Sequence, residues 1–206
     1  MSVLPVLLHP AAALRAKCAP IPSLASCQAL LADLAASAAA HGGLGLAAPQ
    51  LGAPLRAFAM LRPVAWTAQG LLARSLGGQG RRGARRGSAA AAAAAAAAYV
   101  TCVNPRILHA SAGSRVGLEG CLSLPGAPAL VSRAHTLTVE YLDARGERTE
   151  LELSGLPAVV FQHELDHLDG VLLIDKQEAL PAGREEEHMF AASRAFNAEV
   201  REFYPR

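Results

Sequence analysis

The segment Gln162-His163-Glu164-Leu165-Asp166-His167 places two histidines four residues apart, with a glutamate directly after the first of them. Residues four apart lie on the same face of an α-helix, so both imidazoles can bind one metal ion. Glu164 would then lie beside the ion, where a carboxylate can act as a base. Three fixed positions also recur by chance in helices, so an ordinary helix remains the alternative to a metal site.

The residues around this segment predict a helix that follows a β-hairpin. Pro157 suits the first turn of a helix and Gly170 suits its end, so the helix is expected to begin near Gly155 and to stop before Gly170. Upstream, apolar and polar residues alternate over residues 136–141, and residues 143–146 supply a turn. Strands that precede one central helix indicate an α+β domain.

The N-terminal part of the chain predicts a helix and a buried strand. Ser23 can cap a helix and Gly42 can end it, so residues 24–40 are expected to form one amphipathic helix. The apolar stretch at residues 55–61 predicts a buried strand, and residues 101–108 regain β-character.

A further helix of about five turns is predicted after Pro181. Acidic residues occupy its first turn, where they interact favourably with the helix dipole. Its apolar residues recur at helical spacing, which is typical of packing against the domain rather than of a ligand site. These apolar residues are Met189, Ala192, Phe196, Val200 and Phe203.

Residues 70–98 form a low-complexity insertion, in which Gly and Arg alternate before a run of alanines. Alanine has the highest helix propensity, but about ten residues form only a marginal helix in water, so part of the insertion is expected to be disordered. Because periodic bulky apolar residues are lacking, deletion of residues 74–98 is expected to leave metal content and catalytic activity largely intact. The arginines at positions 81, 82, 85 and 86 leave two alternatives, a solvated loop or contact with ribosomal RNA.

The composition excludes several classes of protein. The 206 residues suit one compact catalytic unit with a core of Leu, Val and Ala. A net charge of +2 does not favour a specific DNA-binding surface. Four cysteines without a CxxC pair fit a reducing compartment. No apolar run is long enough to span a bilayer, and the first residues resemble neither a secretory nor an organellar leader.

A third metal ligand is available upstream of the helix, in the segment Glu119-Gly120-Cys121-Leu122-Ser123. A hydrolytic site of this kind needs three protein ligands and an open position for water. A lone cysteine is usually a small buried hydrophobe, but Gly120 and the polar Glu119 and Ser123 argue against an ordinary core position. Cys121 is therefore a candidate ligand.

The segment Gly43-Leu44-Gly45-Leu46-Ala47-Ala48-Pro49-Gln50 combines small residues with a terminal carboxamide. Small residues allow a ligand to approach the backbone closely. A phosphate-binding loop is excluded, because no Lys followed by Ser or Thr comes next. The Gln50 amide can instead donate to a carbonyl oxygen as that oxygen becomes negative.

The segments GLGLAAPQ, EGCLS and QHELDH, in this order, resemble the three signature motifs of the peptide deformylase family. The similarity extends over residues 3–62 and 99–176. The resemblance implies an α+β fold with small mixed β-sheets around a central metal-binding helix and a C-terminal helix. A catalytic domain at residues 1–180 and a helical extension at residues 181–206 follow from it.

The resemblance also assigns catalytic roles. Glu164 is the implied general acid/base, and the implied oxyanion donors are the Gln50 amide and the backbone N–H of Leu122. Arg133 and Glu119 would brace the site. The implied metal ligands are Cys121, His163 and His167.

Further residues are implied as substrate contacts. Gly45 and Leu46 would contact the substrate backbone, and the apolar positions would either form the pocket for a methionine side chain or belong to plain core. The full set is Gly45, Leu46, Glu119, Gly120, Leu156, Val159 and Val160. One departure from the family pattern is Pro128, where members often have Arg or Tyr, and it places substrate contacts of that loop in question.

The implied cofactor is one ferrous ion per chain, which zinc, nickel or cobalt can replace. A thiolate with two imidazoles suits all of these ions, so the residues alone do not choose among them. The implied substrates are nascent peptides with an N-formyl-methionyl end, and the implied partners include transient ribosome contact but no membrane and no specific DNA. Formylated initiation implies a bacterial cytoplasm, a plastid stroma or a mitochondrial matrix.

Two other functions remain as alternatives. A zincin-type metallopeptidase also uses HExxH, but it takes its third ligand from a downstream Glu, His or Asp, whereas Cys121 lies upstream. A non-catalytic metal-binding or ribosome-associated module would not need Gln50 and Glu164, and both residues are present.

Overall fold

A computed structural model describes residues 1–62, 89–179 and 185–203. These ranges contain the helices α1 (Gln28–His41), α2 (Ala89–Ala96), α3 (Leu156–Leu168) and α4 (Glu185–Phe203). The strands are β1 (Gly45–Ala47), β2 (Ala57–Leu61), β3 (Tyr99–Ala110), β4 (Ser114–Cys121), β5 (Leu124–Ala134), β6 (Thr136–Leu142) and β7 (Arg148–Ser154). The predicted α+β class is confirmed.

The strands form a five-stranded sheet in the order β1-β2-β3-β6-β7 and a separate two-stranded sheet of β4 and β5. Every strand pair of both sheets is antiparallel, and among the described residues parallel pairing is confined to the isolated bridge between Ala19 and Leu55. The expectation of mixed sheets is therefore corrected. Short turns such as residues 122–123 join neighbouring strands directly, and such connections produce antiparallel pairs.

The first helix begins later than the sequence suggested. Residues Leu24–Ser26 form a 3₁₀ turn, and α1 begins at Gln28. The side chain of Ser23 makes no capping hydrogen bond, and the backbone carbonyl of Ser23 accepts a bond from the Ser26 hydroxyl at 2.8 Å. Gly42 ends the helix with φ 70°, a left-handed conformation that suits glycine.

Part of the alanine run belongs to the folded core, although residues 74–98 lack the periodic bulky apolar residues expected for core packing. Helix α2 packs against α1, and Ala96 is buried in the same apolar cluster as Leu31 and Leu34. An alanine helix is marginal alone, but its small side chains let α1 approach closely, and that packing stabilises it. The arginine-rich half of the insertion lies outside the described residues.

Helix α3 is fixed at both ends and along its buried face. Pro157 lies in its first turn, and the Phe161 ring meets the Phe58 ring of β2 edge to face, with centroids 5.1 Å apart. Beyond the helix, Gly170 has φ +74°, and a Cβ there would lie 2.5 Å from the Arg15 carbonyl oxygen. Only glycine fits at this close approach to the Arg15 backbone, so Gly170 holds the end of α3 against the N-terminal segment.

The predicted C-terminal helix is confirmed as α4, 19 residues long. Phe196 and Val200 pack against the apolar cluster that contains Phe58 and Phe161, as the helical spacing predicted. The rings of Phe58, Tyr141 and Phe161 therefore join the expected Leu, Val and Ala in the core. Among the described helices, none combines the length and apolarity needed to cross a bilayer.

Candidate metal centre

Three ligand side chains converge at one point of the structure. The sulfur of Cys121 and one ring nitrogen each of His163 and His167 all lie within 4.8 Å of one another, and Cys121 Sγ lies 3.3 Å from His167 Nε2. A single ion needs metal–sulfur and metal–nitrogen distances of about 2.0–2.3 Å, so this cluster fits one divalent ion with small adjustments. The donor set suits iron, zinc, nickel or cobalt.

Two elements far apart in sequence deliver these ligands. His163 and His167 lie one turn apart on α3, and Cys121 is the last residue of β4. The pairing of β4 with β5 is irregular between Glu119 and Cys121, because Cys121 pairs with Leu124 although Glu119 pairs with Ala129. Irregularities of this kind redirect side chains, and this one brings the Cys121 sulfur towards α3.

A buried carboxylate orients the first histidine. Glu119 Oε2 lies 2.8 Å from His163 Nδ1, which leaves His163 Nε2 to face the ligand cluster. The Arg133 guanidinium donates to both oxygens of Glu119, at 2.7 and 2.9 Å, and also pairs with Asp166. Burial alone would raise the pKa of Glu119, but its bonds to Arg133 and His163 outweigh burial and lower the pKa to about 2. The carboxylate is therefore held as an anion.

The two histidines have opposite electrostatic environments. Burial, reinforced by the charge of His163, lowers the pKa of His167 well below 6.5, which favours the neutral form that binds a metal. Burial also acts to lower the pKa of His163, but hydrogen bonds with Cys121 and Glu119 outweigh it and raise the pKa to about 10. Because a metal ion binds the neutral form of an imidazole, metal and proton compete for His163.

Glu164 is a buried carboxyl group beside the ligands. It is 4% exposed, and burial raises its pKa to about 7 despite the opposing effect of His163. Its Oε2 atom is buried and has no hydrogen-bond partner among the described residues. Gly45 lies directly against it, because a Cβ at Gly45 would lie 2.3 Å from Glu164 Oε1. A carboxyl group with a pKa near neutrality is suited to proton transfer.

The Gln50 carboxamide has a fixed orientation. Its Oε1 accepts a bond from the Ala47 N–H at 2.8 Å, and its Nε2 donates to the Ser123 hydroxyl at 3.0 Å. The same Nε2 lies 3.7 Å from Cys121 Sγ. The amide N–H₂ group therefore points towards the ligand cluster, where it can donate to a substrate oxygen. Ser123 was expected only as a polar neighbour of Cys121, and its bond with Gln50 joins residues 73 positions apart.

A cavity of about 350 Å³ opens onto these groups. Of the positions implied by the sequence, three do not line it. Leu46 is buried in the apolar cluster of α1, and His167 and Arg133 are also buried and do not line the cavity. Pro128 is exposed and does not line the cavity. The sequence-predicted positions that line the cavity are Gly45, Gln50, Glu119, Gly120, Cys121, Leu122, Leu156, Val159, Val160, His163 and Glu164.

Two further residues at this site were missed by the sequence analysis. The Tyr99 hydroxyl donates to the Gly43 carbonyl at 2.5 Å and so braces the loop before β1, and burial raises the pKa of Tyr99 to about 12. Phe196 of α4 lines the cavity, although its spacing predicted packing alone. No local signal marks either residue, since both contacts join segments distant in sequence.

A buried carboxyl group, a thiol and two imidazoles around one cavity define the class of metal-dependent hydrolases. The family model for polypeptide deformylase matches residues 3–181, and the chain belongs to this family. It is accordingly a hydrolase that removes the formyl group from N-terminal formyl-methionine during protein biosynthesis.

Individual relatives agree with this membership. The peptide deformylase of Thermomicrobium roseum is 37% identical over 149 residues, which cover 72% of this chain and 70% of that protein. The crystal structure of the Thermotoga maritima peptide deformylase superimposes with a TM-score of 0.67 at 28% identity, covering 87% of this chain and 100% of that one. A class I type b peptide deformylase from Acinetobacter baumannii with Met-Ala-Ser bound gives 0.63 at 30% identity, covering 85% and 98%.

Proposed function

We propose that this chain deformylates peptides with a metal ion held by Cys121, His163 and His167. The observation that carries the proposal is the convergence of one sulfur and two ring nitrogens within 4.8 Å, with Cys121 and His163 in the wall of the cavity. When bound, a divalent ion would supply Lewis acidity that activates water and polarises a carbonyl group. Ferrous iron is the proposed ion, with zinc, nickel or cobalt as replacements.

Glu164 is proposed to move the proton that the reaction requires. Its burial and its raised pKa let it accept a proton from the attacking water and return it to the leaving amine. Water adds to the formyl carbon, the carbon–nitrogen bond breaks, and formate and a free amino terminus result. The close contact with Gly45 holds Glu164 at this position.

Gln50 and the backbone N–H of Leu122 are proposed to stabilise the negative charge that develops on the formyl oxygen. The bonds from Ala47 and to Ser123 fix the Gln50 amide before substrate arrives. Preorganised donors of this kind contribute about 3–4 kcal/mol each to transition-state stabilisation in other hydrolases.

The cavity is proposed to bind the first residue of the substrate. Leu156, Val159 and Val160 form its apolar wall, and Gly45 with Gly120 leaves room for substrate backbone. For Leu46, whose side chain is buried elsewhere, the proposal is limited to a backbone contact through β1. The Acinetobacter baumannii relative with Met-Ala-Ser bound supports a peptide that begins with methionine.

Domain limits, partners and compartment remain part of the proposal. A catalytic domain of residues 1–180 and an extension of residues 181–206 agree with a family match that ends at residue 181. The proposed partners are nascent formylated peptides, with transient ribosome contact through the arginine-rich stretch. The proposed compartment is a bacterial cytoplasm or an organelle that uses formylated initiation.

The decisive experiment measures formate release from formyl-Met-Ala-Ser by the purified chain loaded with ferrous iron under argon. Release of formate with a free methionine amine, at one ion per chain, supports the proposal. Cleavage of the Met–Ala bond with the formyl group retained would support the zincin alternative. Tight metal binding without either product would support a non-catalytic module.

A further inference from the structure

The C-terminal helix contributes one side chain to the cavity. Phe196 is half-buried and lines the cavity, and it packs against the same apolar cluster as Val200, one turn further along α4. An ion pair between Arg115 of β4 and Glu199 holds α4 against the domain. Glu199 and Val200, about one turn after Phe196, therefore both join α4 to the domain.

The Phe196 ring adjoins the apolar wall rather than standing alone. Leu156, Val159 and Val160 occupy the turns of α3 that precede His163, and α4 packs directly against α3. Four helical residues advance about 6 Å, which is the reach of an extended unbranched side chain. A substrate side chain that starts near the three metal ligands and runs along α3 would therefore end beside Leu156, Val159 and Val160.

We propose that Phe196 is a specificity-determining residue that contacts the thioether of the substrate's first side chain, an inference that rests on the proposed function. The other apolar side chains of the cavity are aliphatic, and an aliphatic surface barely distinguishes a sulfur atom from a methylene group. They are Leu44, Leu122, Leu156, Val159 and Val160. Contact between sulfur and an aromatic ring favours methionine over norleucine, which has the same shape, by about two- to tenfold.

The test compares formyl-Met-Ala-Ser with formyl-norleucyl-Ala-Ser in the wild-type chain and in Phe196→Leu. Leucine keeps an apolar surface at this position but removes the ring. We expect the ratio of kcat/KM for the two peptides to fall about two- to tenfold towards unity, through loss on the methionine peptide. An unchanged ratio in a Phe196→Leu variant of unchanged Tm would overturn the inference.

Two variants on the same helix separate sulfur recognition from helix docking. Asn197 is exposed, so Asn197→Ala is expected to leave the ratio as in the wild type. Val200 packs on the core without lining the cavity, so Val200→Ala loosens the docking of α4 and should lower both kcat/KM values, with a smaller fall of their ratio than in Phe196→Leu because the ring is kept. A fall of the ratio in Val200→Ala as large as that in Phe196→Leu would show that docking, not the ring, sets the preference.

A binding measurement makes the inference independent of catalysis. Calorimetric titration of the metal-loaded chain with the products Met-Ala-Ser and norleucyl-Ala-Ser should give the same two- to tenfold ratio of Kd, lost in Phe196→Leu. If the wild type releases no formate, the proposed function fails whatever the ratio. If it releases formate but binds both products equally, only the role of Phe196 fails.

Discussion

His163 Nδ1 lies 2.8 Å from Glu119 Oε2, and the same carboxylate is held through both oxygens by Arg133. The contact fixes the ring of His163 so that its other nitrogen faces Cys121 and His167. Glu119→Gln should therefore weaken metal binding by about 10- to 100-fold without removing a ligand. Competition with a chelator measures the affinity, and Glu152→Gln, at an exposed position of β7, is the control. Equal affinity in both variants would contradict this role for Glu119.

Substitutions of Glu164 and Cys121 should have different effects on turnover and metal content. Glu164→Gln keeps the size of the side chain but removes the proton acceptor, so turnover should fall by about 10²- to 10⁴-fold while metal content stays near that of the wild type. Cys121→Ala should lose metal and activity together, because two imidazoles alone form an incomplete site. Metal analysis and formate release on the same samples distinguish the two. Normal turnover in Glu164→Gln, or wild-type metal affinity in Cys121→Ala, would contradict the assignment of a hydrolytic metal centre with Cys121 as ligand.

Gly45→Ala should disturb Glu164 directly. The added Cβ would lie 2.3 Å from Glu164 Oε1, so the carboxyl group must move. Because a displacement of about 1 Å can cost about 10²-fold in rate, we expect a fall of that order in kcat with metal content retained. Gly117→Ala in β4 is the matched control, since nothing lies within 4 Å of its added Cβ. Similar kcat in the two variants would show that Glu164 tolerates displacement.

The iron-loaded enzyme should lose activity in air. Cys121 is partly exposed whereas Cys18, Cys27 and Cys102 are buried, so oxidation should start at Cys121, and oxidised sulfur is a poorer ligand. Activity followed under air and argon measures the loss, and peptide mass spectrometry locates it. The zinc-loaded chain is the control and should decay more slowly. Equal lifetimes of the iron form under both gases would refute this expectation.

The alanine run should matter for stability. Ala96 is buried against α1 whereas Ala95 is exposed, so Ala96→Asp should cost about 1–3 kcal/mol and Ala95→Asp much less. At about 2–4 °C per kcal/mol, thermal melts resolve this difference. Deleting residues 74–86 should preserve Tm and activity, whereas a deletion that continues through residue 98 should lower Tm. Equal Tm values for Ala95→Asp and Ala96→Asp would place α2 outside the core.

Local patterns predicted the elements of the chain better than their contacts. The alternation at residues 136–141 and the spacing of the apolar residues in α4 follow from one element at a time, and both are confirmed. The predicted start of α1 was wrong. The backbone carbonyl of Ser23 accepts a bond from the Ser26 hydroxyl and not from a helical backbone N–H. The ladder between β4 and β5 was not foreseen.

At the metal centre, too, local motifs could be predicted from the sequence but contacts between distant segments could not. Its ligand types and Gln50 were visible as motifs, whereas the Tyr99 contact with Gly43 spans 56 residues and has no local pattern. Phe196 met the expectation of packing, yet one face of the same ring also lines the cavity. A periodic apolar pattern identifies the buried face of a helix but not what that face touches.

The backbone N–H of Arg62 donates to the Ala98 carbonyl at 2.8 Å, next to the cross-strand pair of Leu61 and Tyr99. The chain therefore leaves the sheet after Leu61 and returns to it at Tyr99, and the hydrogen bond between Arg62 and Ala98 joins these two ends. Loop-closure entropy adds only about 0.6 kcal/mol for each doubling of the number of residues between two joined ends, so residues added between positions 62 and 98 should cost little. A fluorescent reporter domain inserted between residues 74 and 86 should therefore leave the hydrolase working, which makes this position a practical attachment point.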